Sequence, residues 1–176
     1  SNENTENQII DSFHNLLLKL NGHLKARKYI FGDKPSYADF GLWGQIYNSW
    51  TDPTPRKFIE KDFSDLLPWI ERMLNPKDEG EYESWNSLSA TLMPILKEEV
   101  AEIFLPWTSE ITKAMSEEKE ELSVIIRDKE FKHSIGGPQK YHVKSFAVLK
   151  KKYDTFKDNE ALASILLDAN CRDLLI

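Results

Sequence analysis

Tyr29-Ile30-Phe31-Gly32-Asp33-Lys34-Pro35-Ser36-Tyr37-Ala38-Asp39-Phe40 is the stretch that decides how this chain folds. Gly32 admits a positive φ and Pro35 fixes its own φ just ahead of Ser36, so residues 32–35 read as a turn. Ser36-Tyr37-Ala38-Asp39 has the form of a capping box, with Asp39 in place of the usual Glu or Gln. The Ser36 hydroxyl can accept from the backbone N–H of Asp39. The Asp39 carboxylate can reach back to the N–H of Ser36 and favours the positive end of the helix dipole. Ser36 and Asp39 are therefore assigned a structural N-cap role, with a catalytic carboxylate as the second reading of Asp39. Pro35 stands where a hydrophobic staple toward Phe40 would set the angle at which the helix begins. Phe40, Leu42, Trp43, Ile46, Tyr47 and Trp50 make that helix apolar nearly all round. It is expected to be central and buried, with Gly41 and Gly44 letting a neighbouring helix approach closely.

Upstream, Ile9, Ile10, Phe13, Leu16, Leu17, Leu20 and Leu24 recur at spacings of three and four, one apolar stripe on a helix from about Asn7 to Lys25. Downstream, Asp52-Pro53-Thr54-Pro55 stops the central helix. A short amphipathic piece comes next at 56–61, then a helix beginning at Ser64-Asp65 with Pro68 in its first turn and ending at Asn75-Pro76. Lys77 to Glu83, charged and containing Gly80, reads as a mobile loop. The period is again helical from Trp85 to Phe104, kinked or split by Pro94, and from Trp107 to Lys119. Leu122–Ile126 and Phe131–Ile135 are short β-prone runs around Arg127-Asp128-Lys129-Glu130 and predict one small hairpin, closed by Gly136-Gly137-Pro138. Helices at 139–156 and 159–169 complete the chain. The fold class is all-α, a bundle of six to eight helices with one hairpin in a single compact domain.

Composition narrows the function classes. With 176 residues, 40% of them hydrophobic, the chain can build its own core. Cys171 is the one cysteine, so there is no internal disulfide and no cysteine-rich metal site, and a reducing cytoplasm is the natural compartment. No apolar run is long enough to span a bilayer. A net charge of −6 argues against a general nucleic-acid binder. The lysine-rich stretch 127–157 reads as a solvated face, its basic residues being interleaved with apolar ones. No membrane or nucleic-acid partner is expected.

The 29–40 stretch resembles the segment that opens the buried helix in glutathione S-transferase C-terminal domains. Asp52-Pro53-Thr54-Pro55 and Leu67-Pro68-Trp69-Ile70-Glu71-Arg72-Met73 resemble the next segments of a bacterial subgroup with a long C-terminal extension. Phe104-Leu105-Pro106 and Gln139-Lys140-Tyr141-His142-Val143-Lys144 are similar to that extension. The resemblance implies a helical domain over 1–176, with 1–76 the family-like core and 77–176 the extension. It also implies an absent thioredoxin-like N-terminal domain as partner, and a homodimer. The parent would conjugate glutathione, its co-substrate, to electrophiles, whereas this fragment binds no cofactor and is inactive alone. Ser1 in place of methionine agrees with a chain that has been cut. If a neighbouring helix is missing, the 9–24 stripe would pair in a dimer or be repositioned over the core. The alternative is a non-catalytic protein-interaction module of the same fold.

The residues themselves carry little chemistry. His14, His23, His133 and His142 have no i, i+4 pair, so no metal site is expected. Cys171 lacks an evident base. Trp43, Tyr47, Trp50, Trp69 and Trp85 fit helical core positions, and a pocket for a flat apolar ligand is their second reading. Tyr47 and Trp50, near a helix end, are the members placed to reach a cleft. The resemblance adds Phe13, His14 and Leu17 as the other border of a hydrophobic substrate site.

Overall fold

The computed structural model describes residues 3–135 and 139–176; Gly136-Gly137-Pro138, expected to close the hairpin, lie outside them. The described residues are mainly α-helical: α1 (Glu3–Leu24), α2 (Tyr37–Thr51), α3 (Pro53–Asp62), α4 (Leu67–Leu74), α5 (Trp85–Ile95), α6 (Leu105–Ser116), α7 (Gln139–Phe156), α8 (Glu160–Asp168) and a four-residue α9 (Arg172–Leu175). One antiparallel hairpin, β1 (Glu121–Ile126) and β2 (Lys129–Ser134), interrupts them. The chain forms two compact units, residues 11–93 and residues 1–10 with 94–176.

In the 11–93 unit the α1 stripe enters the core from Leu17 onward. Leu17, Leu20 and Leu24 are buried, whereas Ile9 and Ile10 stay exposed. Asn21 on the same helix accepts the Leu66 N–H at 3.1 Å and so anchors the start of the 64–74 segment. There a 3-10 turn at Ser64–Leu66 runs straight into α4, with Pro68 in the first turn where no N–H is needed. Asp52 both ends α2 and begins α3, its Oδ1 accepting from the Thr54 N–H at 2.9 Å. The two prolines that stop one helix therefore open the next.

Residues 77–83 depart from the expected mobile loop. Asp33 N–H donates to Glu81 O at 3.0 Å and Glu83 N–H to Phe31 O at 2.8 Å, and Gly32 bridges Tyr82. Gly80, at φ +93°, lies so close to Asp33 that an added Cβ would stand 2.7 Å from its carbonyl oxygen. Gly32, at φ +123°, is pressed against the Glu83 amide in the same way. Backbone pairing with a turn some fifty residues away is invisible in a charged segment's composition.

In the other unit, Ile111 and Ala114 of α6 pack on Leu122 and Val124 of β1, with Trp107, Phe131 and Val143 around them. The hairpin turn is the two residues Arg127 and Asp128, at φ +48° and +62°. That is the signature of a tight turn matched to strand twist, more commonly made by Asn-Gly. An arginine there is strained, and its side chain supplies compensation. Arg127 Nη2 donates to Glu98 O at 3.1 Å and to Glu99 Oε1 at 2.7 Å. Both acceptors lie on a π-helical segment, Leu96–Phe104, that comes after Pro94 and joins α5 to α6. The α-helix thus gives way one residue after Pro94, and the chain continues beyond it in a wider coil.

Candidate functional site

Asp39 is the anchor of the 11–93 unit. It is fully buried, and each carboxylate oxygen receives two hydrogen bonds. Oδ2 accepts from the Ser36 N–H at 2.9 Å and from the Ser36 hydroxyl at 2.7 Å, within the expected capping box. Oδ1 accepts from the Ile30 N–H and from Trp69 Nε1–H, both at 2.9 Å. Four donors match the capacity of one carboxylate. Asp39 therefore does more than cap: it ties the 29–36 turn, α2 and α4 together. The Trp69 bond could not be foreseen from spacing, because it reaches thirty residues along the chain.

The outer face of α2 is held in place by this anchor. The helix is not buried on all sides as its composition predicts: it buries Asp39 and Ile46 and exposes Tyr37, Phe40, Gly41, Gly44, Tyr47 and Asn48. These positions fall on one broad arc at 100° per residue. The arc carries no charged residue. Gly41 and Gly44 lie within it, and nothing stands within 4 Å of where their Cβ atoms would be, so no neighbouring helix among the described residues approaches them. Phe40, half exposed, is not folded into a covered staple. Hydrophobicity measured along a helix sets how much apolar surface exists. It does not say whether the same chain covers it.

The residues expected to border a substrate site are distributed among separate contacts. Leu17 is fully buried in the core and Phe13 half-buried. His14 rests against Phe58 and Phe63, with ring centroids 5.6 and 5.4 Å away. Tyr47 meets Trp43 at 5.2 Å, and Trp50 lies under the Arg56 guanidinium at 4.3 Å. A cleft of about 390 Å³ opens elsewhere in the same unit, lined by Lys28, Asp33, Arg72, Lys77 and Glu79 among others. Arg72 is turned to the carbonyls of Lys28 and Arg27, and Lys28 pairs with Asp33 at 3.5 Å. Charged side chains rim the cleft, and of these Lys28 and Asp33 pair with each other. Its residues come from two separate stretches, 28–33 and 72–80, with no shared motif, so no local pattern signals it.

A second buried polar centre is equally silent in the sequence. His23 Nε2 lies 2.8 Å from Ile30 O and must carry the proton, leaving Nδ1 to accept from the Thr91 hydroxyl at 2.7 Å. Thr91 Oγ1 accepts in turn from Arg27 Nη1 at 3.2 Å, and Arg27 Nη2 donates to Ser87 O at 2.6 Å. Arg27 Nε stands 3.0 Å from Glu83 Oε1, an ion pair out of line for a hydrogen bond. Burial holds the His23 pKa below its ordinary value, against the opposing pull of the Ile30 carbonyl. His23, Thr91 and Arg27 thus bind α1 to α5. Among the described residues no group of three or more His, Cys, Asp or Glu is placed to hold a metal ion.

Comparison with known families finds a likeness in the first part of the chain. Residues 3–72 match the model of the glutathione S-transferase C-terminal domain. The similarity spans 70 of the 176 residues. No curated protein and no solved structure matches the chain. The transferase-like segment runs from α1 into α4 and so contains Asp39, its four donors and the exposed face of α2. No helix among the described residues is long and apolar enough to cross a membrane.

Proposed function

We propose that the transferase-like segment is the helical half of a glutathione transferase-like protein and that the uncharged face of α2 is the seat of a further folded part. The observation that carries this reading is that face: Tyr37, Phe40, Gly41, Gly44 and Tyr47 exposed together, without a charge, on a helix fixed from behind by a four-bonded buried carboxylate. An uncharged helix side with two bare glycines suits close packing against another element, and soluble proteins seldom leave such surface open. The resemblance gives that element as a thioredoxin-like domain that binds and ionises glutathione. The reaction would then be attack of the thiolate on an electrophile, with the helical half supplying apolar wall. The dispersal of Phe13, His14, Leu17, Tyr47 and Trp50 among separate contacts favours a second reading, in which the same face receives a protein partner and no catalysis occurs.

The test begins with the gene upstream of Ser1, which should encode a thioredoxin-like βαβ-ββα pattern containing a cis-proline and an early Ser, Tyr or Cys. Phe40→Glu with Tyr47→Glu should leave the melting of this chain unchanged while abolishing its association with that upstream half. Unaltered association would remove α2 as the seat. Association without any glutathione conjugation by the joined halves would select the non-catalytic module.

A further inference from the structure

Helix α7 presents a second exposed face, of opposite character to that of α2. Its inner side carries Val143, packed against the α6 and hairpin cluster, and buried Phe146. Outward, Tyr141 and Val148 are seven residues apart and therefore lie on one stripe, 60% and 54% exposed, with Phe156 at the helix end 58% exposed. Lys144 and Lys151, also seven apart and both exposed, form a parallel stripe beside it. Lys140 and Lys144 flank the Tyr141 ring, their Nζ atoms 5.5 and 5.9 Å from its centroid. Lys150 is turned away to the carbonyl oxygen of Ile176 at 2.7 Å. Against these lysines the helix carries one carboxylate, Asp154, on a chain whose net charge is −6.

We propose that α7 is a peripheral docking face for an anionic phospholipid bilayer. Charge complementarity supplies the attraction: lysines held near an anionic leaflet each contribute about 1 kcal/mol, or about a fivefold factor in binding. The adjoining stripe selects the occupant. Tyr141, Val148 and Phe156 gain from burial at the headgroup and acyl boundary, whereas phosphate groups of a nucleic acid reward the lysines but not a valine between them. An acidic peptide would need a groove, and the outward side of a helix is convex. A flat bilayer can touch the whole length of an 18-residue helix, about 27 Å. The expectation of no membrane partner rests on the lack of a spanning segment, and a helix lying on a surface needs none.

The experiment is co-sedimentation of the full chain with vesicles of phosphatidylcholine alone and of phosphatidylcholine with phosphatidylserine, beside binding to a homopolymeric RNA and to polyglutamate. The expected result is binding to the phosphatidylserine vesicles, weakening as salt is raised, and none to phosphatidylcholine. Lys144→Glu with Lys151→Glu should lower it at least about twentyfold, two lysines at about fivefold each. Val148→Ser, which leaves charge unchanged, should also lower it severalfold. Both sets of side chains are exposed, and unchanged circular dichroism would show that the fold is kept. Absence of vesicle binding overturns the proposal. So does RNA or polyglutamate binding equal to vesicle binding with Val148→Ser indistinguishable from the parent, since the face would then serve polyanions in general.

Discussion

Asp39 and His23 are both fully buried polar residues of the 11–93 unit, nine and seven residues from the Ile30 backbone they share. They are satisfied in different ways. Asp39 draws two of its four bonds from Ser36, three residues back, so half of its environment is written in local spacing. His23 has no such neighbour. Its two bonds come from the Ile30 carbonyl in the next turn and from Thr91 on a helix sixty-eight residues away. Burial of a polar group is tolerable when its bonds are made, but only a locally bonded group announces itself beforehand.

Breaking the Asp39 centre should have the largest effect. Asp39→Ala strands two buried donors, Ile30 N–H and Trp69 Nε1–H, at about 1–3 kcal/mol each, and loses a cap of about 1 kcal/mol. A total loss of about 4 kcal/mol is expected in urea unfolding, well beyond the 0.5–2 kcal/mol or so of a cap alone. Asp39→Asn should come close behind, because an amide nitrogen would face donors. A loss for alanine confined to the capping range would mean that the tertiary bonds contribute nothing.

Thr91→Val tests the other centre. It removes the donor to His23 Nδ1 and the acceptor of Arg27, and a loss of about 1–2 kcal/mol is expected by the same measurement. Acid should act on the same group. The folded state binds a proton at His23 less readily than the unfolded chain does, so this contribution to stability is complete above the ordinary pKa of 6.5 and declines as pH falls below it toward the lower folded value. Unfolding measured between neutral and mildly acidic pH should show that decline, and His23→Gln should flatten it. An equal decline in the variant would assign the pH dependence to the carboxylates instead.

The smallest expected change is a gain. Gly41→Ala and Gly44→Ala meet open space in an exposed helix, so each should stabilise the chain by about 0.5–1 kcal/mol through helix propensity. In a protein whose α2 face is covered by a further domain, the same methyl groups would meet that domain and weaken its association. Thermal melts of the chain compared with those of the full-length protein separate the two situations.

Much of the fold was legible because its causes are local. The 3.6-residue period located the helices, and the paired β-prone runs located the hairpin. The turn narrowed to Arg127-Asp128 because Arg127 can reach Glu98 and Glu99, which no strand propensity reveals. The surroundings of the candidate substrate residues depend on distant partners in the same way. Leu17 shares its stripe with surface positions, and which turns of α1 are covered depends on the elements that pack beside them. The charged-rimmed cleft drew its lining from two stretches that only folding brings together.

By itself the sequence determined the helical class, the capping box of Ser36 and Asp39, the helix boundaries at Pro53 and Pro76, and the family likeness of the 3–72 segment. Each of these rests on residues within a few positions of one another, where backbone geometry and side-chain spacing suffice. Tertiary structure alone decided that Asp39 also receives Trp69, that His23 is neutral and buried, that 77–83 is pinned, and that the aromatic side of α2 stands exposed. Those outcomes depend on which distant groups fill the space around a residue, and periodicity carries no record of that.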